Sequence, residues 1–313
     1  MSVTVEEPCN NTPKFTISNS SNNNNNNEKK QQTTTTTTMT NNKNNQDSYN
    51  NNNSTTDKEA ASLDDQQSSV LKQRSDDLKS RYTSTKRRQE IISVLLFFVF
   101  LAISIQKMFN VFYAQNIWLF LSASVLAMVA ADFFSGIVHC EYRQTRAADT
   151  WGSLDTPLVG NSFIRSFREH HVAPTAMTKH DFIETNGDNC MLTVPVLAFT
   201  AFGPIIGDST YNLFLLSFLV KLSFWVMLTN QIHKWSHTYD LPSYVKFMQR
   251  YGIILSKPDH AVHHRNPFDK YYCITNGWLN PWLAGIGFWK RLEEIITLTT
   301  GAIPRKDDQA WTN

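Results

Sequence analysis

The sequence predicts an all-α membrane protein. It has about four transmembrane helices in two hairpins, a cytosolic histidine-rich metal-binding region and a disordered N-terminal tail. Three observations predict it. Residues 1–88 are low-complexity, with Asn22–Asn27 and Thr33–Thr38 unbroken. Four apolar stretches follow, and the loops between them alternate in basic character. All nine histidines fall outside the two loops that lack Lys and Arg.

The tail contains few large apolar side chains, so it cannot bury enough surface to offset the entropy of ordering it. Residues 1–88 are therefore expected to be a disordered cytosolic segment and 89–313 the folded membrane domain. The mean hydropathy of −0.34 averages these unlike halves and hides the second. The opening MSVTVEEPCN has no apolar core, so no cleavable signal peptide is expected.

The net charge of +2 favours no polyanionic partner. Lys72, Arg74, Lys79, Arg81, Lys86, Arg87 and Arg88 crowd before the first apolar run without interleaved stacking aromatics. That pattern excludes a nucleic-acid surface and fits a juxtamembrane basic cluster. The cysteines, Cys9, Cys140, Cys190 and Cys273, form no CxxC, so reduced cytosolic thiols are expected rather than a cysteine zinc site or disulfides.

The first span, Ile91–Phe112, opens with a charge-free run, and the second, Ile117–Val138, carries one charge, Asp132. The third, Cys190–Ile206, is shorter and holds Pro195 and Pro204; the fourth, Tyr211–Ile232, carries only Lys221. A span needs about 20 mainly apolar residues, which the first, second and fourth supply and the third barely does. A soluble bundle of buried helices is the competing fold, and several such lengths in one short chain argue against it. The connections 113–116 and 207–210 lack Lys and Arg, whereas the N-terminal flank, 139–189 and the C-terminal third are rich in both. The positive-inside rule then puts both termini and every histidine in the cytosol. The Asn186-Gly187 pair reads as a turn, with Asp188 or Asn189 capping the third span.

Taken singly, a histidine near a membrane surface is usually solvated or hydrogen-bonded. The spacing here says more. HKWSH puts His233 and His237 four residues apart on one helix face, and HAVHH does the same for His260 with His263 or His264. His170 and His171 are adjacent, His180 follows, and His139 ends the second span. Nine candidates exceed the four ligands of one zinc, and HExxH is absent. The ExxH motif of soluble di-iron bundles is absent too. A histidine-rich di-iron centre that uses O2 is the expectation. Asp132, seven residues before His139, is expected to orient it from behind; Asp259 and Asp181 are weaker candidates for such support. Lys234, on another face from its flanking histidines, is expected to attract a lipid phosphate. No catalytic side chain beyond the ligands is expected.

DFFSGIVHC, DTWGS, FREHHVAPTAMTKHDFIETNGDNC, NQIHKWSHTY, HAVHH and YYCITNGWLN closely resemble segments of the plasmanylethanolamine desaturases, the Kua family. The resemblance runs from about Ile91 to the C-terminus. It implies a multi-pass enzyme of the endoplasmic reticulum membrane that introduces the vinyl ether double bond of plasmalogens into an ether phospholipid. It implies two iron ions, O2, and electrons from cytochrome b5 and its reductase. The family's histidines match here as His233 and His237, as His260, His263 and His264, and as His139, His170, His171 and His180. One departure is Asp259, which stands where animal members carry another histidine. Within this frame the rivals are an acyl-lipid desaturase or hydroxylase on another phospholipid. Outside it stands a non-catalytic zinc-binding membrane adaptor, which metal content would separate.

Overall fold

A computed structural model describes residues 68–70, 72–144, 160, 162, 165–173, 175–204, 209–265 and 270–301. The side chains of 140–144, 167–168, 171–172, 209 and 300 lie outside that description. The chain divides into Met1–Asp57 and Lys58–Asn313, and every described residue belongs to the second unit. The expected disordered tail lies outside the described residues as far as residue 67. Its end departs from expectation: residues 72–80 are helical, Leu78 is buried, and the first long helix starts at Ser84.

Described helices are α1 (Ser84–Asn110), α2 (Ile117–Gln144), α3 (Arg165–Val172), α4 (Phe182–Phe202) and α5 (Ser209–His237). Four shorter ones follow: α6 (Ser243–Arg250), α7 (Lys257–His263), α8 (Asn280–Gly285) and α9 (Phe288–Thr300). There is no β-strand among the described residues.

Among the described residues three helices are long and apolar enough to cross a membrane: Ser84–Asn110, Ala114–His139 and Thr210–His237. They carry three of the four expected spans. Helix α4, which holds the third, begins earlier than expected. Asp181 is its N-cap, accepting the Glu184 N–H at 2.9 Å. Asn186, Gly187, Asp188 and Asn189 are therefore helical and buried instead of forming a turn and cap.

The reason is tertiary. A Cβ at Gly187 would lie 2.6 Å from Glu90 Cβ, so the glycine permits a close crossing of α4 with α1. The polar half of α4 pairs with its neighbours. Lys86 of α1 pairs with Asp188 and donates to Ser162 Oγ at 2.7 Å. Asn186 Nδ2 donates to Gln231 Oε1 at 3.2 Å, and Asn189 Nδ2 to the Val226 carbonyl at 2.8 Å. Gly187→Ala is expected to cost about 1–3 kcal/mol through overpacking, read as a lower unfolding temperature in detergent. Unchanged stability would mean that the crossing relaxes freely.

Helix α1 packs chiefly on α4, α4 on α5, and α5 on α2, so the sequence-adjacent α1 and α2 flank the α4–α5 pair. Phe97, Leu101, Leu197, Val220 and Met227 form the buried core shared by α1, α4 and α5. Lys221, the one charge of the fourth expected span, donates to the Phe120 carbonyl at 2.8 Å and to Ser124 Oγ at 2.6 Å on α2. Beyond the histidine end of these helices, α6 and the segment 253–255 cover Ile232, and Trp289 of α9 packs on Tyr272.

Candidate metal centre

Helix α5 carries His233 and His237 one turn apart, and α7 lies across them. Ser256 caps α7: its Oγ accepts the Asp259 N–H at 3.3 Å and donates to Asp259 Oδ2 at 2.6 Å. This corrects the expectation for Asp259, whose exposed carboxylate serves the start of the helix rather than the back of a ligand. The cap sets the helix so that His260 is buried and its ring faces α5. Helix α3 supplies His170. Arg165 fixes that helix: it pairs with Glu169 at 3.0 Å and with Glu184 of α4 at 3.5 Å, and it lies over the Tyr82 ring.

The result is a convergence of five histidines, His170, His233, His237, His260 and His264, whose ligand nitrogens all lie within 4.8 Å of one another. His260 is the hub. Its Nε2 lies 2.9 Å from His233 Nε2, 2.8 Å from His237 Nε2 and 3.0 Å from His264 Nε2. An imidazole nitrogen offers one in-plane position, either one N–H or one lone pair, so three such contacts cannot all be hydrogen bonds. They fit nitrogen donors gathered around a shared cation. At a metal–nitrogen distance of about 2.1 Å, ligands at right angles are about 3.0 Å apart. Burial, reinforced by the charge of the neighbouring histidines, holds His260 well below the ordinary imidazole pKa. It therefore presents the neutral form that a metal requires. Imidazole donors suit iron, as they suit zinc, copper and nickel.

His139 and His263 form an adjoining pair with ring centroids 4.4 Å apart. The His139 ring lies 5.6 Å from that of His233, and the His263 ring 5.3 Å from that of His264. Each has its Nδ1 3.1 Å from a backbone carbonyl, Tyr272 for His139 and Lys270 for His263. A carbonyl only accepts, so both Nδ1 atoms carry the proton and each Nε2 presents a lone pair. One loop thus sets the tautomer of both rings.

Sequence reasoning assigned that loop no part in the site. The signal was Asn276-Gly277 inside an otherwise buried apolar run. Asp132 anchors it. Its Oδ1 accepts N–H groups from Thr275 (3.2 Å), Asn276 (2.9 Å) and Gly277 (2.9 Å), and its Oδ2 accepts that of Leu279 (3.3 Å). Asp132 was expected to touch His139 directly; instead it acts through the loop. Seven residues of helix separate the two by about 10 Å along the axis, too far for a short carboxylate to reach the ring.

The remaining candidates sit as follows. His180 Nε2 lies 3.6 Å from both Glu169 and Glu184, and His180 lines a small cavity together with His170 and His233. Lys234 donates to the His180 carbonyl, which ties α5 to the start of α4 and leaves further N–H groups on its ammonium. The side chain of His171 lies outside the described residues.

The lipid desaturase domain family matches residues 128–307. The chain is 43% identical over 231 residues to plasmanylethanolamine desaturase of Myxococcus xanthus, covering 74% of this chain and 79% of that one. It is 44% identical over 240 residues to plasmanylethanolamine desaturase 1 of Mus musculus, covering 75% and 86%. Chloroplastic fatty acid desaturase 4 of Arabidopsis thaliana is 29% identical over 188 residues, covering 58% of this chain and 53% of that protein. No solved structure matches the chain significantly. The matched segment runs from α2 to beyond α9 and contains every described histidine of the site, and with these similarities it shows that the chain belongs to the lipid desaturase family that includes the plasmanylethanolamine desaturases.

Proposed function

We propose that this protein is a membrane oxidoreductase that introduces the vinyl ether double bond into the alkyl chain of an ether phospholipid, forming a plasmalogen. The observation that carries the reading is the convergence of five imidazoles at the end of the membrane-length helix that carries His233 and His237. The names of the Myxococcus and mouse relatives supply the substrate class.

Two iron ions would supply the O2-dependent oxidizing chemistry when bound. His170, His233, His237, His260 and His264 would hold one, and His139 and His263, with His171 and His180 as further donors, would complete the site for the second. The chain's own contributions are positional. The carbonyls of Lys270 and Tyr272 fix two imidazoles as lone-pair donors, burial keeps His260 neutral, and the enclosing helices exclude water. Two hydrogens leave adjacent carbons of the alkyl chain, beginning beside the ether oxygen, whose lone pairs stabilize electron deficiency there. With two electrons from a partner, O2 leaves as water. Cytochrome b5 with its reductase is the proposed electron source. Lys234 would take the lipid phosphate, at the cytosolic face of the endoplasmic reticulum membrane, with both termini cytosolic.

The test is lipid analysis of cells that lack any other source of vinyl ether and are supplied with an alkyl ether precursor. Vinyl ether phospholipid is expected only when this protein is expressed. A new double bond in acyl chains, with no vinyl ether, would instead favour the acyl-lipid reading that the Arabidopsis relative represents.

A further inference from the structure

A second cavity, of about 340 Å³, lies between α2, α4 and α5. Its walls are almost wholly apolar, including Phe134 and Val138 from α2, Leu192 and Val196 from α4, and Leu222 and Val226 from α5. It is elongated along the helices. From Asn230 to Leu222 the α5 wall spans eight residues, about 12 Å of helix, and the α4 wall from Asn189 to Val196 is of similar length. Phe134, Val138 and Leu192 are 51%, 41% and 53% exposed, so the flank of the cavity opens on the apolar side of the molecule, where lipid would lie.

One end meets the metal centre. Asn230 lines this cavity and also the small cavity shared by His170, His180 and His233. Val138, on the opposite wall, directly precedes His139. The two amide side chains that line the cavity, Asn189 and Asn230, meet at this junction. Asn189 Nδ2 is committed to the Val226 carbonyl at 2.8 Å, and Asn189 Oδ1 faces Asn230 Nδ2 at 3.4 Å. The Asn230 amide nitrogen has a second N–H to offer. An ether oxygen accepts hydrogen bonds and cannot donate them.

We infer that this cavity receives the alkyl chain of the substrate, with its ether oxygen on the Asn230 amide at the histidine end. The inference rests on the ether-lipid reading and deepens it. A chain held this way has its first two carbons beside the histidines and its remainder between α2, α4 and α5. The depth of the cavity then sets the chain length accepted, and Asn230 sets which carbons meet the oxidant. A free fatty acid would have to place a carboxylate at Asn230, where no cation lines the cavity among the described residues.

Two measurements test this on the full chain in membranes. The first uses the unaltered protein and an alkyl ether phospholipid with a diazirine near the middle of its alkyl chain. After irradiation the label is expected on peptides of α2, α4 and α5 that contain Phe134, Leu192 or Leu222. Label confined to other segments overturns the assignment. The second is Ser223→Phe, which fills the end of the cavity far from Asn230. The ratio of vinyl ether formed from a long-chain to that from a short-chain precursor is expected to fall about ten-fold or more, as a filled apolar pocket discriminates by methylene count. An unchanged ratio in an active variant overturns it. If Ser223→Phe does not insert, the labelling result decides alone. Absence of vinyl ether product from the unaltered protein would overturn the ether-lipid reading instead, so the two failures are distinguishable.

Discussion

His260→Ala is expected to lower desaturation by more than about 100-fold, since even groups that merely support metal ligands cost 10–100-fold when removed. The iron retained per chain is expected to fall with it. His260 is singled out because its Nε2 approaches three other imidazole nitrogens within 3.0 Å, so its loss opens the centre of the cluster. His233→Ala and His237→Ala should act in the same direction, because α5 delivers both rings to that hub. The change lies on the short helix α7, outside the three membrane-length helices, so insertion should survive. Metal content by mass spectrometry and vinyl ether lipid at matched expression are the two readouts, with circular dichroism as the control for fold. Normal product and normal iron in His260→Ala would remove this residue from the metal centre and reduce the cluster to a set of buried histidines.

Asp132→Ala is expected to damage stability and activity together. The substitution leaves four backbone N–H groups of 275–279 without their acceptor, in a segment where Thr275 is fully buried. A buried donor left unsatisfied costs about 1–3 kcal/mol, so several kcal/mol are at stake, less whatever water can enter. The same loop carries the Tyr272 and Lys270 carbonyls that hold His139 and His263 as lone-pair donors. Releasing it should weaken iron binding at a site Asp132 does not touch. Asp132→Asn keeps one acceptor oxygen and should fall between wild type and alanine. Unfolding temperature in detergent and iron affinity measured on one preparation would check both halves. A variant with wild-type stability and weakened iron would refute the anchoring role, and one destabilized with intact iron affinity would refute the link to the tautomers.

Much of the site was legible because its markers are local. A spacing of four puts His233 and His237 on one face wherever the helix lies, and Ser256-Lys257-Pro258-Asp259 marks the start of the next helix without any tertiary information. The polar half of α4 was misread for the opposite reason. Asn186-Gly187 is a strong local turn pattern, and it lost to a glycine contact with Glu90, 97 residues away, and to the buried Lys86–Asp188 pair. Asp132 was correctly suspected as an acid inside a span, but its partners lie more than 140 residues further along the chain, and helix periodicity pointed to the wrong neighbour.

The sequence by itself determined that the protein is helical and membrane-embedded, which segments are apolar, and which side chains have metal-ligand spacing, because these follow from composition and from the 3.6-residue period. Only the tertiary structure decided that α4 and α5 lie between α1 and α2, that five histidines from three separate helices and the residue after α7 share one centre, and that one loop orients two more. Those facts depend on how distant polar groups find partners once water is gone. Each buried N–H, carboxylate and ammonium must be satisfied somewhere, and several chain segments could have offered the acceptor. The choice among them is made by packing geometry, which no local pattern of residues encodes.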